Sequence, residues 1–176
     1  MVLRESSPNN ESLTMNNQSL LKVLNPLRNS KTIILGVGNV LKGDDALGPL
    51  VCERLKPEKV SAEVIDAATV PENYIQTIIK KAPQNLLIID AIDFAAKPGT
   101  IKIFEAEKLN SFAISTHTLS PRIFINLICQ SIKLKVYFLG IQPAQTHLGS
   151  PISQRVQKSI DVLSCILTDI FQRKIY

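Results

Sequence analysis

Short apolar runs return along this chain between stretches with helical spacing. That alternation constrains the fold most, because strands and helices in turn bury both faces of a sheet only in a layered α/β arrangement. Thr32 to Leu35 (TIIL) is continuous, apolar and β-branched, as expected of a strand buried on both faces. Ala62 to Ile65 (AEVI) reads as a weaker second strand, and Leu86 to Ile89 (LLII) as the clearest third. Thr100 to Phe104 (TIKIF) alternates, which leaves one face to solvent, and Lys135 to Leu139 (KVYFL) completes the set. Thr69, Pro71 and Glu72 read as a capping box, while Ser120-Pro121 and Ser150-Pro151 each read as an N-cap followed by Pro at the first helical position. Val156, Ile160, Leu163, Leu167 and Ile170 form a helical stripe that faces a core. The expected architecture is three-layer α/β/α, a twisted, mostly parallel sheet of about five strands flanked by helices, with right-handed crossovers.

Residues 1–30 stand apart from this pattern. Met1 to Ser19 is rich in Asn, Ser and Glu and poor in apolar residues, so residues 1–30 are expected to form a flexible polar leader and residues 31–176 the folded domain. Leu20, Leu21, Val23 and Leu24 can form a short amphipathic turn, stopped by Asn25-Pro26, that docks with Leu27 on the body or on a partner.

Charge and composition narrow the function classes. The net charge is +5, but Lys and Arg are scattered and aromatics make up only 5%, so the stacking platforms of a nucleic-acid binder are missing and none is expected as a partner. Cys52, Cys129 and Cys165 lie far apart, each within an apolar helical pattern, with no CxxC pair for a zinc site. An odd number of thiols that read as buried, with no signal-like segment and no apolar run of spanning length, implies a cytoplasmic protein without membrane insertion.

In open α/β sheets ligands gather beyond the carboxyl ends of the strands. The polar residues that fall there are Asp44 and Asp45 after the first strand, Asp66 after the second, Asp90 and Asp93 after the third, and Gln142 after the fifth. Ser115-Thr116-His117 lies in a loop that can reach the same edge. A dinucleotide fingerprint does not fit. Gly36 and Gly38 match its first two glycines, but the third position is Leu41, and Asp66 lies further past Gly38 than the usual ~20 residues. Asp45, Asp90 and His117 instead offer two carboxylates and an imidazole, a donor set suited to a divalent transition metal with open positions. Taken singly, each has a structural alternative: Asp45 as a first-turn acid, Asp90 as a turn acceptor, His117 as a structural histidine. His147 reads as a solvated loop residue, and Lys42, Lys97 and Lys102 as charges for steering or solubility.

GVGNVLKGDDALGPLV resembles the opening signature of the nickel-iron hydrogenase maturation proteases. DAATVPEN, LLIIDAIDF with KPGTIKIF, STHTLSP and FLGIQP are similar, in order and spacing, to successive segments of that family. The resemblance covers Lys31 to the C-terminus and is closest to the branch serving energy-converting, formate-hydrogenlyase-type hydrogenases. It implies a cytoplasmic endopeptidase, with no Ser or Cys nucleophile, that removes the C-terminal extension from the nickel-loaded precursor of a hydrogenase large subunit. It also implies that Asp45, Asp90 and His117 hold nickel supplied by that substrate, the cofactor in question. Asp66 matches a further family acid, expected to orient water or the scissile peptide. Asp45, Asp66 and Asp90 are thus the expected catalytic residues, and Gly38 and Asn39 are expected to contact substrate. Nickel can serve as a Lewis acid, or only dock the substrate while Asp66 or Asp45 acts as general base. Ala67-Ala68 departs from the family, in which glycines are frequent at these positions. A monomer is expected. A non-catalytic docking protein or metallochaperone would use the same ligands, and a test of cleavage separates the two readings.

Overall fold

The computed structural model describes residues 20–105 and 121–172. Residues 20–24 are helical (α1) and run into a 3-10 turn, Asn25–Leu27. The main elements then follow as β1 (Thr32–Val37), α2 (Leu47–Leu55), β2 (Glu63–Ala68), α3 (Ile75–Lys81), β3 (Asn85–Ala91), β4 (Ile101–Glu105), α4 (Pro121–Cys129), β5 (Lys135–Ile141) and α5 (Gln154–Phe171). All five expected strands form, and the observed ones run one to three residues further at their carboxyl ends because the ladders continue into the residues that follow.

The sheet has the order β2-β1-β3-β5-β4, with every neighbouring pair parallel except the edge pair β4–β5. Leu35 and Leu87 on the central strands are fully buried, as a sheet covered on both faces requires. One face packs against α1, α2 and α5 through Leu24, Val51, Leu55, Ile160 and Leu163. The other packs against α3 and α4 through Ile78, Phe124 and Ile128. The predicted stripe on α5 is buried at every position, from Val156 to Ile170.

Several local expectations are corrected. Leu20, Leu24 and Leu27 are buried within the α2–α5 cluster, so the folded body begins by residue 20 rather than at residue 31; residues 1–19 lie outside the described residues. The physical reason is the apolar spacing of these three leucines, which gives α1 and its turn one face to bury. Asn85 Nδ2 donates to Ser30 Oγ (2.7 Å), which ties this segment to the amino-terminal edge of β3. No capping box forms at Thr69: Pro71 opens a 3-10 turn, Pro71–Tyr74, without a side-chain cap. α5 is capped by Ser153, not Ser150, and Ser153 Oγ accepts from Val156 N (3.4 Å). Cys129 and Cys165 are exposed; only Cys52 is buried. No helix among the described residues is long and apolar enough to cross a membrane.

Candidate active site

The strand order reverses between β1 and β3: the chain leaves β1 towards β2 on one side, and from β3 continues towards β5 on the other. A crevice opens beyond the carboxyl ends of two such strands because their following loops diverge. The loop after β1 therefore lies beside the end of β3. Its course is set by glycine. Gly38 sits at φ +143, and a Cβ there would stand 1.8 Å from the carbonyl oxygen of Asp45. Gly36 and Gly48 bring α2 onto the sheet, since a Cβ on Gly36 would lie 2.4 Å from Gly48 O, and one on Gly48 2.2 Å from Val37 O. Gly48, not Leu41, thus supplies the close helix–strand packing that the third glycine of a dinucleotide motif would give.

The two acids of this loop have different surroundings. Asp44 is fully buried and accepts four hydrogen bonds from the β5–α5 loop: Ala144 N (2.7 Å), Gln145 N (3.1 Å) and Ser153 Oγ (3.0 Å) on Oδ2, and Ser153 N (2.7 Å) on Oδ1. The backbone adds Asp44 N to Gln145 O (2.9 Å) and Gly149 N to Leu41 O (2.8 Å), so the two loops are fastened together. Asp45 is also buried, yet among the described residues its carboxylate accepts only the Asn39 amide on Oδ2 (3.0 Å).

Asp90, at the end of β3, is 2% exposed and accepts Ala91 N (2.7 Å). Burial raises its pKa well above the ordinary carboxylate range, and the nearby charge of Asp45 raises it further, against the Ala91 amide that lowers it. Asp90 thus feels the charge of a second buried carboxyl group, a perturbation of the kind found at functional sites.

Asp66 is set apart from this pair. It lies opposite Gly36 in the β1–β2 register, on the α2 side of the sheet by alternation with Val64, whereas Asp90 alternates with Ile88 towards α3 and α4. Its carboxylate accepts Ala68 N (3.0 Å) in its own turn, and its charge bears on Cys52. The Cys52 thiol is pushed up to about 12, mainly by burial and then by Asp66, so it is no nucleophile at neutral pH. Gly38 and Asn39 border the pair, Asn39 through its amide on Asp45. His117 lies outside the described residues, and among the described residues alone no group of three or more metal-binding side chains forms. His147 is exposed on the β5–α5 loop. Lys102 Nζ lies 5.0 Å from the Phe94 ring centroid, a packed cation more than a steering one.

Gln142 emerges as a second organiser of this edge. Its Oε1 accepts Phe94 N (2.9 Å) and Ala96 N (3.2 Å), and its Nε2 donates to Asp93 Oδ1 (3.1 Å). The Ala95 amide and this Gln142 contact hold the Asp93 carboxyl below the usual range, so Asp93 belongs to the β3–β4 turn. Only the position of Gln142 at a strand end signalled it in advance.

A family model described as hydrogenase maturation protease matches residues 49–170. A putative hydrogenase maturation protease of Methanocaldococcus jannaschii is 32% identical over 160 residues, 85% of this chain and 94% of that protein. The hydrogenase 3 maturation protease of Escherichia coli K12 is 34% identical over 133 residues, 74% of this chain and 85% of its own. Among solved structures, the nickel-iron hydrogenase maturation protease HycI of Thermococcus kodakarensis aligns with a TM-score of 0.78 at 29% identity, covering 86% of this chain and 99% of that one. The endopeptidase HycI of Escherichia coli aligns at 0.70 with 32% identity, covering 79% and 90%. With the matching five-stranded sheet and helices, these likenesses make the chain a peptidase that belongs to the hydrogenase maturation protease family.

Proposed function

We propose that this peptidase removes the C-terminal extension from the nickel-loaded precursor of a nickel-iron hydrogenase large subunit, with the substrate's own nickel as the feature it recognises. The observation that carries this reading is the buried pair Asp45 and Asp90 at the point where the strand order reverses. The relatives named as hydrogenase maturation proteases support the substrate class.

Buried carboxylates placed side by side repel one another, and a divalent cation between them relieves that repulsion. In the proposed scheme Asp45 and Asp90, with His117 from the segment before α4, receive nickel that the precursor carries. An empty precursor offers no such relief and binds less well, so selection rests on the difference between the two affinities. The Asn39 amide orients the Asp45 carboxylate, and the Gly38 turn, where a Cβ would meet the Asp45 carbonyl, draws the loop in against that residue. Asp45, which accepts a single amide among the described residues, is the better-placed general base; Asp66, one strand over, flanks the peptide.

The test is incubation with nickel-loaded and nickel-free precursor, read by intact mass. Release of a short C-terminal peptide from loaded precursor only, reduced ~100-fold or more in Asp45→Ala, Asp90→Ala and His117→Ala, is expected. Binding without cleavage by the unaltered protein would mark a docking protein instead.

A further inference from the structure

Three of the large apolar side chains that face solvent sit on the two fastened loops beside the carboxylate pair: Val40 (65% exposed), Leu41 (64%) and Leu148 (74%). They belong to one place. Leu41 O accepts the amide of Gly149, next to Leu148 (2.8 Å), and Val40 follows Asn39, whose amide holds Asp45 (3.0 Å). The loops are fixed by Asp44, so the side chains are displayed on a rigid support. Such exposure on a braced loop costs solvation and gives nothing to the core, the mark of a surface kept for a partner.

The chemistry of the rim limits that partner. In loop residues 39–43 and 145–150 the ionisable side chains are Lys42 and His147, and both acids of the neighbouring GDD run are buried. These two loops thus carry apolar groups with positive or neutral polar neighbours, and no exposed carboxylate of their own. The surface they form adjoins the carboxylate pair through Asn39, whose amide holds Asp45.

We infer that Val40, Leu41 and Leu148 form a docking rim for an apolar segment of the precursor large subunit, with neutral or acidic neighbours, lying next to the nickel-bearing cleavage point. This rests on the function proposed above, and it assigns substrate affinity to residues outside the carboxylate pair. A rigid apolar rim of this kind sets how tightly the precursor is held and leaves the chemical step alone.

The experiment uses the full chain and purified nickel-loaded precursor, with Leu41→Ser/Leu148→Ser compared with Ile123→Ser/Leu127→Ser, a pair of exposed apolar residues on α4. Precursor affinity is read by titration and cleavage by intact mass, with a thermal melt of each variant. The rim variant is expected to raise Kd and KM about tenfold or more with kcat unchanged, while the α4 variant stays like the parent. Cleavage with unchanged KM, a loss confined to kcat, or an equal loss in the α4 variant overturns the rim and leaves the protease reading intact. If the parent binds precursor but never cuts it, the protease reading fails; the rim then stands on a tenfold weaker Kd in its variant and falls on an unchanged one. No binding by the parent overturns both.

Discussion

The clasp around Asp44 and the cradle of Asp45 and Asp90 start from adjacent residues of one loop, and all three carboxyl groups are buried. In the clasp, one carboxylate receives four hydrogen bonds from a loop distant in sequence. In the cradle, among the described residues, two carboxyl groups share two backbone amides between them, and the charge of Asp45 bears on Asp90. The clasp is satisfied and holds the fold together. The cradle draws fewer hydrogen bonds from the described residues, and the Asp90 carboxyl is held protonated to higher pH by burial and by the charge of Asp45.

Substitutions can break this comparison. Asp44→Ala removes the acceptor of four hydrogen bonds and strands their donors, so it should cost at least ~3 kcal/mol and lower the melting temperature by about 10 °C. A change of only a degree or two in a thermal scan would mean that the clasp does not organise the two loops.

Asp90→Asn should act in the opposite direction on stability. Because the folded-state pKa of Asp90 lies above its unfolded value, the folded chain holds that proton more tightly. The stability that this proton provides is present at low pH and is lost as pH rises from the ordinary carboxylate range, about 4, through the raised value. Asparagine keeps the acceptor for Ala91 N and carries no charge. The variant should therefore melt above the parent at pH 8, by on the order of 1 kcal/mol per unit of pKa difference, and converge with it towards pH 4. A gap that does not change with pH would remove the electrostatic account of the cradle.

The smallest effect concerns the turn beside the cradle, where Gly38 N donates to Ala68 O (2.8 Å) and Ala68 holds φ +46. Ala68→Gly should relieve that left-handed strain and stabilise by a few tenths to ~1 kcal/mol, measured by chemical denaturation. A loss of stability would show that the entropy of the unfolded chain outweighs the strain.

The layers, the strand ends and the positions of Asp45 and Asp90 were readable because periodicity and strand-end placement are local properties of a sequence. The division of labour within Asp44-Asp45 was not, since the partners of Asp44 lie about a hundred positions further on and no local pattern reports them. The same bonds moved the cap of α5: Ser153 is held by Asp44, whereas Ser150-Pro151 looks the better start by spacing alone. The role of Gly48 is not legible locally, because its task is to admit the backbone of Val37 and Ile89, a contact between elements rather than within the glycine turn. Leu20, Leu24 and Leu27 carried a readable apolar spacing, but the polar stretch before them outweighed it. Cys129 and Cys165 looked buried because their neighbours in sequence are apolar, while the helices turn both outward.

The clasp also has a consequence in time. Its bonds join Asp44 to Ser153, 109 positions away, and a chain made from its amino terminus acquires the second partner only after all five strands have been made. Contacts of such separation close late, after local helices and turns. The loops beside Asp45 are thus braced only once every strand of the sheet has been made.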